Sequence, residues 1–486
     1  MICVPIVGPS MEKALEDLHR AHPLADLVEL RLDLIDRPGL AALLKAATRP
    51  AIVTHRTKLE GGQFSGSEAE RVRALRQAID LGAPYIDIEA STAREHLQPI
   101  LENKGSTKVI LSYHDFSKTL DDLTPLYDIM RELPADILKI VTYAQDINDN
   151  LRMFKLLERA NGESRPLIAL CMGERGEISR ILSPLYGGFL TFGALESGKE
   201  SAPGQILAST LRGVYRLGLP RENGFRVYGV IGNPVAKSKG YLVHNRAFSE
   251  AGSPDIYIPF LVDNAGRFFE GFRKLVSGFS VTMPFKEDIP RYLDRVEEGA
   301  RKIGAVNTVV RGNEGWVGHN TDGLGALRAL EGRVSLKDKN VLILGSGGTA
   351  KAIGHAVAGR GARLTVTYRS NPERGRALAC DLGGEAVPNH EAGARSVDVL
   401  INCSPVGMSP NIHDTPFAAR HLRSGMVVFD SVYNPPETRL IREARAAGCD
   451  VIPGAELFIH QAALQFELWT GRPAPVAAMR EALAAS

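Results

Sequence analysis

The chain has 486 residues, of which 44% are hydrophobic and 23% charged, and this composition is typical of a folded globular protein of about three domains. Its 58 basic and 56 acidic residues nearly cancel to a net charge of +2, which disfavours nucleic acid as a partner. The five cysteines are widely spaced and form no CxxC pair, and no HExxH motif occurs, so we expect neither a disulfide framework nor a metal site.

The N-terminal segment and the lengths of the apolar runs predict a cytoplasmic protein. Pro5 and Gly8 interrupt the first apolar run, and no basic residues precede it, so we expect no signal peptide. No segment approaches the roughly 18 uninterrupted apolar residues of a membrane-spanning helix. We therefore expect small-molecule substrates as partners, and neither a membrane nor a nucleic acid.

Short apolar, β-branched segments alternate with segments of helical periodicity over the first 220 residues. Strands that alternate with helices predict βαβ units, and eight units in this length favour a (β/α)8 barrel over a doubly wound sheet. Helical periodicity is clear at Ser67–Leu81, Leu123–Leu133 and Ile147–Ala160. The predicted strands are Ile2–Val7, Leu27–Leu32, Ile52–His55, Tyr85–Ile88, Val109–Tyr113, Ile137–Thr142, Leu167–Cys171 and Phe189–Phe192.

Several charged residues lie in or directly after these strands without an obvious structural reason. Lys139 interrupts the apolar run Ile137–Val141, and burial favours the neutral amine, which is a nucleophile for carbonyl compounds. His114 ends the fifth strand, where barrel enzymes place their chemistry. The alternatives are a lysine that reaches solvent from a strand end and a structural histidine. Because other strand ends also carry charges, we expect a functional site at this rim; these residues are Glu29, Arg31, Arg56, Asp87 and Glu89.

A polar, turn-rich segment, Gly218–Gly224, separates this region from a second one in which the pattern starts again. Helices are predicted from Leu242 and near Arg267, and a later strand, Val341–Leu344, leads directly into a glycine-rich turn. The strands predicted before it are Val227–Ile231, Ile256–Phe260 and Phe279–Thr282. The second region therefore also predicts an α/β fold.

The glycine-rich turn fits the dinucleotide-binding pattern G-x-G-x-x-G/A, with Gly345, Gly347 and Ala350 in its fixed positions. It follows an apolar strand and precedes a helical segment, Lys351–Gly359, which is the context that the pattern requires. The first glycine allows the tight turn, and the second lets the backbone approach a pyrophosphate at the helix N-terminus. We therefore expect a bound dinucleotide rather than an ordinary strand–helix turn.

The residues that end the next strand predict NADP as that dinucleotide. About 20 residues beyond such a turn, folds that bind NAD carry an acidic residue for the ribose 2′-hydroxyl. This chain has Arg369 and Ser370 there, which can bind a 2′-phosphate, and no carboxylate that would repel it. Arg374 could add a second contact, but a solvated arginine on a helix is the favoured interpretation.

The first half carries motifs that together resemble type I 3-dehydroquinate dehydratase over nearly all of residues 1–220. These are Glu29–Asp33, His55–Gly62, Asp87–Glu89, Ser112–Phe116, Lys139, Ile178–Arg180 and Ser201–Gln205. The resemblance implies that Lys139 forms a Schiff base with the substrate ketone. It also implies that His114, assisted by Glu60, removes the C2 proton and later protonates the leaving hydroxyl. The implied substrate-binding residues are Glu29, Arg31, Arg56, Glu89, Arg180, Ser201 and Gln205.

Residues 226–486 similarly resemble shikimate dehydrogenase. The motifs are Gly232–Val235, Ser238, His244-Asn245, Val281–Glu287, Gly304–Thr308, Asn320–Asp322, Asn402–Met408, Asp430–Pro435, Gln461 and Gln465. The resemblance implies Lys286 and Asp322 as the catalytic pair. The implied substrate-binding residues are Ser238, Thr282, Asn307, Tyr433, Gln461 and Gln465. The expected cofactor-binding residues are Gly345, Gly347, Gly348, Ala350, Arg369, Ser370, Asn402, Ser404 and Gly454.

The order of the two halves is that of the fused, bifunctional plant-type enzyme, which implies two consecutive reactions that lead from 3-dehydroquinate to shikimate. We expect a barrel over residues 1–220, a substrate-binding α/β domain over 226–322 completed by 456–486, and a Rossmann-like NADP domain over 323–455.

One departure from the family pattern leaves an alternative open. The family sequence His-Ser-x-Ser-Pro is replaced by Lys237-Ser238-Lys239-Gly240-Tyr241, so a hydroxyl expected to hold the substrate carboxylate is missing at Gly240. Quinate-preferring relatives show a glycine here, whereas Thr282 goes with shikimate. The alternatives are thus a quinate dehydrogenase and a metabolite-sensing non-enzyme, and the presence of all four principal catalytic residues argues against the sensor.

Overall fold

The computed structural model describes residues 1–221, 224–236 and 238–485. The chain divides into two compact units, Met1–Asn223 with Phe260–Phe272, and Gly224–Pro259 with Arg273–Ser486. Lys237, part of the departure from the family pattern, lies outside the described residues. Among the described residues, no helix is long and apolar enough to cross a membrane. The finer domain boundaries given above stay predictions.

Within residues 1–221, eight parallel strands follow one another in chain order, and β1 pairs with both β2 and β8. The strands are β1 (Ile2–Ile6), β2 (Leu27–Arg31), β3 (Ala51–Thr54), β4 (Tyr85–Glu89), β5 (Lys108–His114), β6 (Ile137–Tyr143), β7 (Leu167–Met172) and β8 (Thr191–Ala194), and a short β9 (Ile206–Leu207) pairs with β8. Just before β8, the Phe189 N–H donates to the Leu167 carbonyl of β7 (2.8 Å), which joins the ends of the sheet. The predicted barrel is confirmed.

Helices connect successive barrel strands. The segment Ser67–Leu81 forms a helix over Glu68–Asp80, and Ser67 begins it with a capping box that satisfies two free backbone N–H groups. The barrel helices are α1 (Met11–Ala21), α2 (Leu40–Ala46), α3 (Glu68–Asp80), α4 (Arg94–Glu102), α5 (Thr124–Arg131), α6 (Asp149–Gly162), α7 (Glu177–Leu182) and α8 (Ala208–Gly213).

The described part of the second unit holds two six-stranded sheets. The first sheet has the order β11-β10-β12-β14-β15-β13 and mixes parallel with antiparallel pairs. Its strands are β10 (Val227–Gly232), β11 (Ile256–Leu261), β12 (Val276–Val281), β13 (Arg295–Val296), β14 (Thr308–Gly312) and β15 (Gly315–His319). The hairpin of β14 and β15 is not evident in the sequence, because glycines that are unfavourable in strands lie on both sides of its turn.

The second sheet is parallel and has the order β18-β17-β16-β19-β20-β21, which is the Rossmann-type arrangement. Side chains of β16 alternate between two hydrophobic clusters, with Val341 and Ile343 in one and Leu342 and Leu344 in the other. Both faces of the sheet are therefore covered. Its strands are β16 (Asn340–Leu344), β17 (Arg363–Tyr368), β18 (Glu385–Pro388), β19 (Val399–Asn402), β20 (Val427–Asp430) and β21 (Asp450–Ile452).

The helices of the second half begin close to where the sequence predicts them, except that the helix after the glycine-rich turn starts three residues earlier, at Gly348. The helices are α9 (Gly240–Glu250), α10 (Ala265–Phe272), α11 (Glu298–Ile303), α12 (Asp322–Glu331), α13 (Gly348–Ala358), α14 (Pro372–Asp381), α15 (Arg439–Ala446), α16 (Gly454–Thr470) and α17 (Val476–Ala484).

Candidate active sites

Lys139 lies on β6 inside the barrel, where only 4% of the residue is exposed. Its ammonium donates to Asp87 Oδ2 (2.9 Å) and lies 3.9 Å from Glu29 Oε1. The same nitrogen lies 4.5 Å from the centre of the Phe192 ring. The lysine is therefore held by a carboxylate in a partly apolar enclosure, rather than reaching solvent from a strand end.

Asp87 on β4 is the centre of the buried polar network. Its Oδ1 accepts from Arg56 Nη2 (2.6 Å) and from Ser112 Oγ (2.7 Å), while Oδ2 accepts from Lys139. Burial alone would raise the pKa of Asp87, but the charges of Arg56 and Lys139 lower it far below its usual value. The carboxylate thus stays ionised at any physiological pH. From the sequence, Asp87 is recognisable only as one of the charges at the strand ends, with no role of its own.

His114 ends β5, and its Nδ1 lies 2.9 Å from Oε2 of Glu60. Burial, together with the cationic Arg56 and Lys139 nearby, lowers the pKa of His114 well below its usual value. Burial also raises the pKa of Glu60 to about 7, although Arg56 and a hydrogen bond from Ser91 oppose that rise. A neutral imidazole therefore shares one hydrogen bond with a carboxyl group that titrates near neutrality.

Lys139, His114 and Glu60 line one cavity together with most of the predicted substrate-binding residues. These are Glu29, Arg31, Arg56, Arg180, Ser201 and Gln205. Arg180 is 1% exposed, its Nη2 donates to the Pro203 carbonyl (2.9 Å), and its buried Nε has no hydrogen-bond partner in the structure. Burial lowers the pKa of this guanidinium to about 10, so it remains a cation in the cavity wall.

Glu89, which is also predicted to bind substrate, is not among the described residues that line the cavity. Its carboxylate accepts from Arg71 and from the Thr57 backbone N–H (3.1 Å), and it lies 3.3 Å from Arg56 Nη1. Glu89 therefore holds Arg56 and the neighbouring backbone of Thr57 in place. Arg71 is 1% exposed and is not among the residues that the sequence predicts to be functional. No local sequence pattern indicates its contact with Glu89, because Glu89 lies on another element.

In the second unit, the Lys286 ammonium donates to Asp322 Oδ2 (2.5 Å). Asp322 is the first residue of α12, and its Oδ1 accepts from Asn307 Nδ2 (2.8 Å). The same amide lies 3.2 Å from Gln461 Oε1. The structure therefore brings four of the predicted residues into one hydrogen-bonded group.

Gln465, also predicted to bind substrate, is 2% exposed and belongs to a buried network. Its Oε1 accepts from Ser280 Oγ (2.9 Å) and lies 3.3 Å from His244 Nε2, while its Nε2 donates to Thr308 Oγ1 (3.0 Å). Burial lowers the pKa of His244 to about 3, so the ring is neutral. In the structure, both ends of the Gln465 amide are thus occupied by hydrogen bonds to buried protein side chains.

The remaining predicted substrate residues lie around these groups. Thr282 and Ser238 are half-buried, and Tyr433 stacks on Phe458 with 4.6 Å between ring centres. Gly240 is buried at the start of α9, and a Cβ atom added there would lie 3.1 Å from Tyr257 Oη. The tyrosine hydroxyl therefore occupies much of the space that a serine at position 240 would need.

The glycine-rich turn has the geometry that a dinucleotide requires. Gly345 has φ +110°, a conformation that favours glycine, and an added Cβ atom at Gly347 would meet nothing within 4 Å. Gly348 and Ala350 lie in the first turn of α13. Arg369 and Ser370 are exposed directly after β17. Arg374 is not merely solvated, because its guanidinium donates to the Ser346 carbonyl and to Glu287 (both 2.8 Å).

The other predicted cofactor residues lie near the point where the strand order reverses between β16 and β19. Asn402 Oδ1 accepts from the N–H and the hydroxyl of Ser404 (2.9 and 2.7 Å), and its Nδ2 donates to Asp430 (2.9 Å). A Cβ atom on Gly454 would lie 2.2 Å from the Val432 carbonyl, so only glycine fits there.

Among the described residues, no group of three or more His, Cys, Asp or Glu side chains could hold a metal ion.

Family models match both halves of the chain. Type I 3-dehydroquinase matches residues 2–219, and the shikimate dehydrogenase substrate binding domain matches residues 230–309. The shikimate 5′-dehydrogenase C-terminal domain matches residues 454–484. A shikimate dehydrogenase from Thermus thermophilus, solved in complex with NADP(H) and shikimate, is 35% identical with a TM-score of 0.50, covering 54% of this chain and 99% of its own.

Two relatives span both halves. The chloroplastic bifunctional 3-dehydroquinate dehydratase/shikimate dehydrogenase of Arabidopsis thaliana is 39% identical, covering 98% of this chain and 83% of its own. The shikimate biosynthesis protein AroDE of Chlamydia pneumoniae is 33% identical, covering 96% of this chain and 95% of its own. With the two sites described above, these matches show that the chain belongs to the family of bifunctional 3-dehydroquinate dehydratase/shikimate dehydrogenases.

Proposed function

We propose that the chain catalyses two consecutive steps, the dehydration of 3-dehydroquinate to 3-dehydroshikimate by the barrel and the NADPH-dependent reduction of that product to shikimate by the second unit. The observation that carries the proposal is the buried Lys139, which is paired with Asp87 and lines one cavity with His114 and Glu60. A metabolite sensor has no need of a reactive amine beside a proton-transfer group.

In the first step, the Lys139 amine adds to the substrate ketone, and loss of water gives an iminium. His114 then removes the C2 proton, and the electron pair of that bond moves into the iminium to give an enamine. As the enamine collapses, the C1 hydroxyl leaves with a proton from His114. Hydrolysis of the remaining iminium releases 3-dehydroshikimate and restores the lysine.

Asp87 suits this sequence because the iminium is a cation, as the lysine ammonium was. The negative charge therefore faces a cationic lysine nitrogen in both the ammonium and the iminium states, and it loses that cation only while the nitrogen is a neutral amine or enamine. While the amine is neutral, Asp87 retains Arg56 (2.6 Å) and Ser112 (2.7 Å), so no buried charge is left alone. Glu60 holds the His114 ring by Nδ1, which leaves Nε2 for the substrate proton.

The second unit fits NADP at the glycine-rich turn. The backbone of Gly345, Gly347 and Gly348 with the N-terminus of α13 would hold the pyrophosphate, and Arg369 with Ser370 the 2′-phosphate. When bound, NADPH supplies a hydride to the substrate carbonyl. Lys286 would give a proton to the carbonyl oxygen, and Asp322 would orient that ammonium.

The domain boundaries at 1–220, 226–322 with 456–486, and 323–455 form part of this proposal. So does a cytoplasmic location, which the five free thiols favour because a reducing compartment keeps cysteines unpaired. The plant relative is chloroplastic by name, so cell fractionation decides this point.

Trapping with borohydride tests the Schiff base. We expect incubation with 3-dehydroquinate and borohydride to add the mass of the reduced substrate adduct to the peptide that contains Lys139, because hydride reduces the iminium to a stable amine. Peptide mass spectrometry reads the result, and Lys139→Met, assayed for intact dehydrogenase activity, is the control. Mass on another lysine only, or none, would contradict the assignment.

The pH dependence of the dehydratase activity tests the ionisation of the Glu60 carboxyl group. Its pKa of about 7 means that the carboxyl is protonated below and ionised above that pH. Only the carboxylate accepts from Nδ1–H and makes Nε2 a stronger base, so kcat/KM should rise as the pH increases through about 7. In Glu60→Gln this rise should disappear, and kcat should fall about tenfold. An unchanged rise in the variant would assign the titration to another group.

Cofactor preference depends on Arg369. We expect NADPH to support reduction at far lower concentration than NADH, since a charged hydrogen bond to the 2′-phosphate contributes about 1.5–3 kcal/mol, or roughly tenfold to a hundredfold. Arg369→Asp should narrow or invert the preference. Arg363→Asp, at the opposite end of β17, is the matched control and should leave it unchanged. Equal use of both cofactors by the unmodified enzyme would refute this interpretation.

Gly240 favours quinate as the second candidate substrate, and substitution decides between the two. Gly240→Ser should lower the shikimate KM about tenfold relative to Gly240→Ala, because both variants displace the Tyr257 hydroxyl and only the serine adds a hydrogen bond to the carboxylate; it should not help quinate. Gly240→Ala is the control, since it displaces Tyr257 by the same Cβ atom without adding a hydroxyl. An equal gain in the alanine variant would exclude the hydroxyl as the cause. Preference of the unmodified enzyme for quinate would favour the alternative function.

A further inference from the structure

A carboxylate lies on the buried face of the first barrel helix. In α1 the residues that face inward are Ala14, Asp17, Leu18 and Ala21, and Asp17 is 1% exposed. A charge in an apolar helix stripe is costly unless it is paired. Asp17 is not among the residues that line the barrel cavity described above, so the reason for its charge lies elsewhere.

The partner of Asp17 lies far away in the sequence, on the segment after β8. Lys199 Nζ donates to both oxygens of Asp17, at 2.7 and 3.0 Å. Two cations of α1 itself lie further from the same carboxylate, Lys13 at 3.3 Å and Arg20 at 3.4 Å. The two-oxygen contact with Lys199 is therefore the shortest that Asp17 makes with any cation among the described residues.

A second ion pair ties the same segment to α1. Glu196 accepts from Arg20 Nη2 (2.5 Å) and lies 2.9 Å from Lys199 Nζ. Positive and negative side chains thus alternate, with Asp17 and Arg20 on the helix and Lys199 and Glu196 on the loop. This arrangement fixes the loop at two points, three residues apart.

The loop over residues 195–205 carries the substrate-facing groups Ser201 and Gln205. These two bind each other, since Gln205 Nε2 donates to Ser201 Oγ (2.9 Å) and Gln205 Oε1 accepts from the Ser201 N–H (2.9 Å). Further along, the Pro203 carbonyl accepts from Arg180 Nη2 (2.9 Å) and from the Gly173 N–H (3.2 Å). Ser201 therefore lies between two fixed points, with Lys199 as the one before it.

We propose that Asp17 is a positioning residue of the dehydratase site: through Lys199 it holds the loop that places Ser201 and Gln205 over the cavity. This inference rests on the proposed dehydratase function of the barrel. Asp17 acts through another residue and touches no reacting atom. Its loss should therefore weaken substrate binding much more than it slows the chemical steps at Lys139 and His114.

The test compares Lys199→Met with Lys13→Gln in the full-length chain. Both changes remove a cation from Asp17, but only Lys199 belongs to the loop. We expect Lys199→Met to raise the KM for 3-dehydroquinate about fivefold while kcat changes less than twofold. Lys13→Gln should leave both constants unchanged. A dehydratase kcat close to that of the unmodified enzyme shows that the barrel of each variant is folded, and shikimate dehydrogenase activity shows the same of the second unit.

Asp17→Asn, which keeps the size of the side chain, completes a double-mutant cycle with Lys199→Met. If the two residues act as one anchor, the double variant should show no larger KM than either single variant. Additive effects on KM, an unchanged KM in Lys199→Met, or an equal rise in Lys13→Gln would overturn the inference. Absence of dehydratase activity in the unmodified enzyme would instead refute the proposed function, so the two failures are distinguishable.

Discussion

The barrel site depends on one buried anion. Asp87 draws Arg56, Ser112 and Lys139 to a single point, and each of these comes from a different strand or strand end. Without that charge, two cations would face each other in a space that water hardly reaches. Burial and the charges of Arg56 and Lys139 lower the pKa of His114, while Asp87 opposes that shift, and the imidazole is available as a neutral base.

The distribution of charge across the cavity follows from the same network. Asp33 is bound by Arg31 through two hydrogen bonds, at 2.9 and 2.7 Å, and Glu89 by Arg71, so each of these arginines already has a carboxylate partner. Arg180 has a backbone carbonyl as partner instead, and its Nε has none among the described residues. Among the described arginines that line the cavity, it is the one whose guanidinium has no carboxylate as hydrogen-bond partner.

The features that can be predicted from the sequence are those that depend on short, continuous segments of the chain. Strand and helix periodicity predicts the barrel. Lys139 is recognisable because it interrupts an apolar run, and His114 because it lies at the end of a predicted strand. The pairing of Asp87 with Lys139 spans 52 residues, and the pairing of Asp17 with Lys199 spans 182. Such contacts depend on which strand ends meet in space, and no local pattern encodes them. The same holds for His244 and Gln465, whose side chains meet across a separation of 221 residues.

The two lysines proposed as catalytic each have a carboxylate partner, Asp87 for Lys139 and Asp322 for Lys286. In the proposed reactions, the Lys139 nitrogen alternates between charged forms (ammonium, iminium) and neutral forms (amine, enamine), and Arg56 at 2.6 Å is the lasting cation beside Asp87. Lys286 instead gives up its proton and becomes neutral, which leaves Asp322 without a cation. Asp322 keeps the Asn307 amide at 2.8 Å and lies in the first turn of α12, where the helix dipole stabilises an anion. Each carboxylate thus keeps other partners while its lysine is neutral: Arg56 and Ser112 for Asp87 in the barrel, and the Asn307 amide with the helix N-terminus for Asp322.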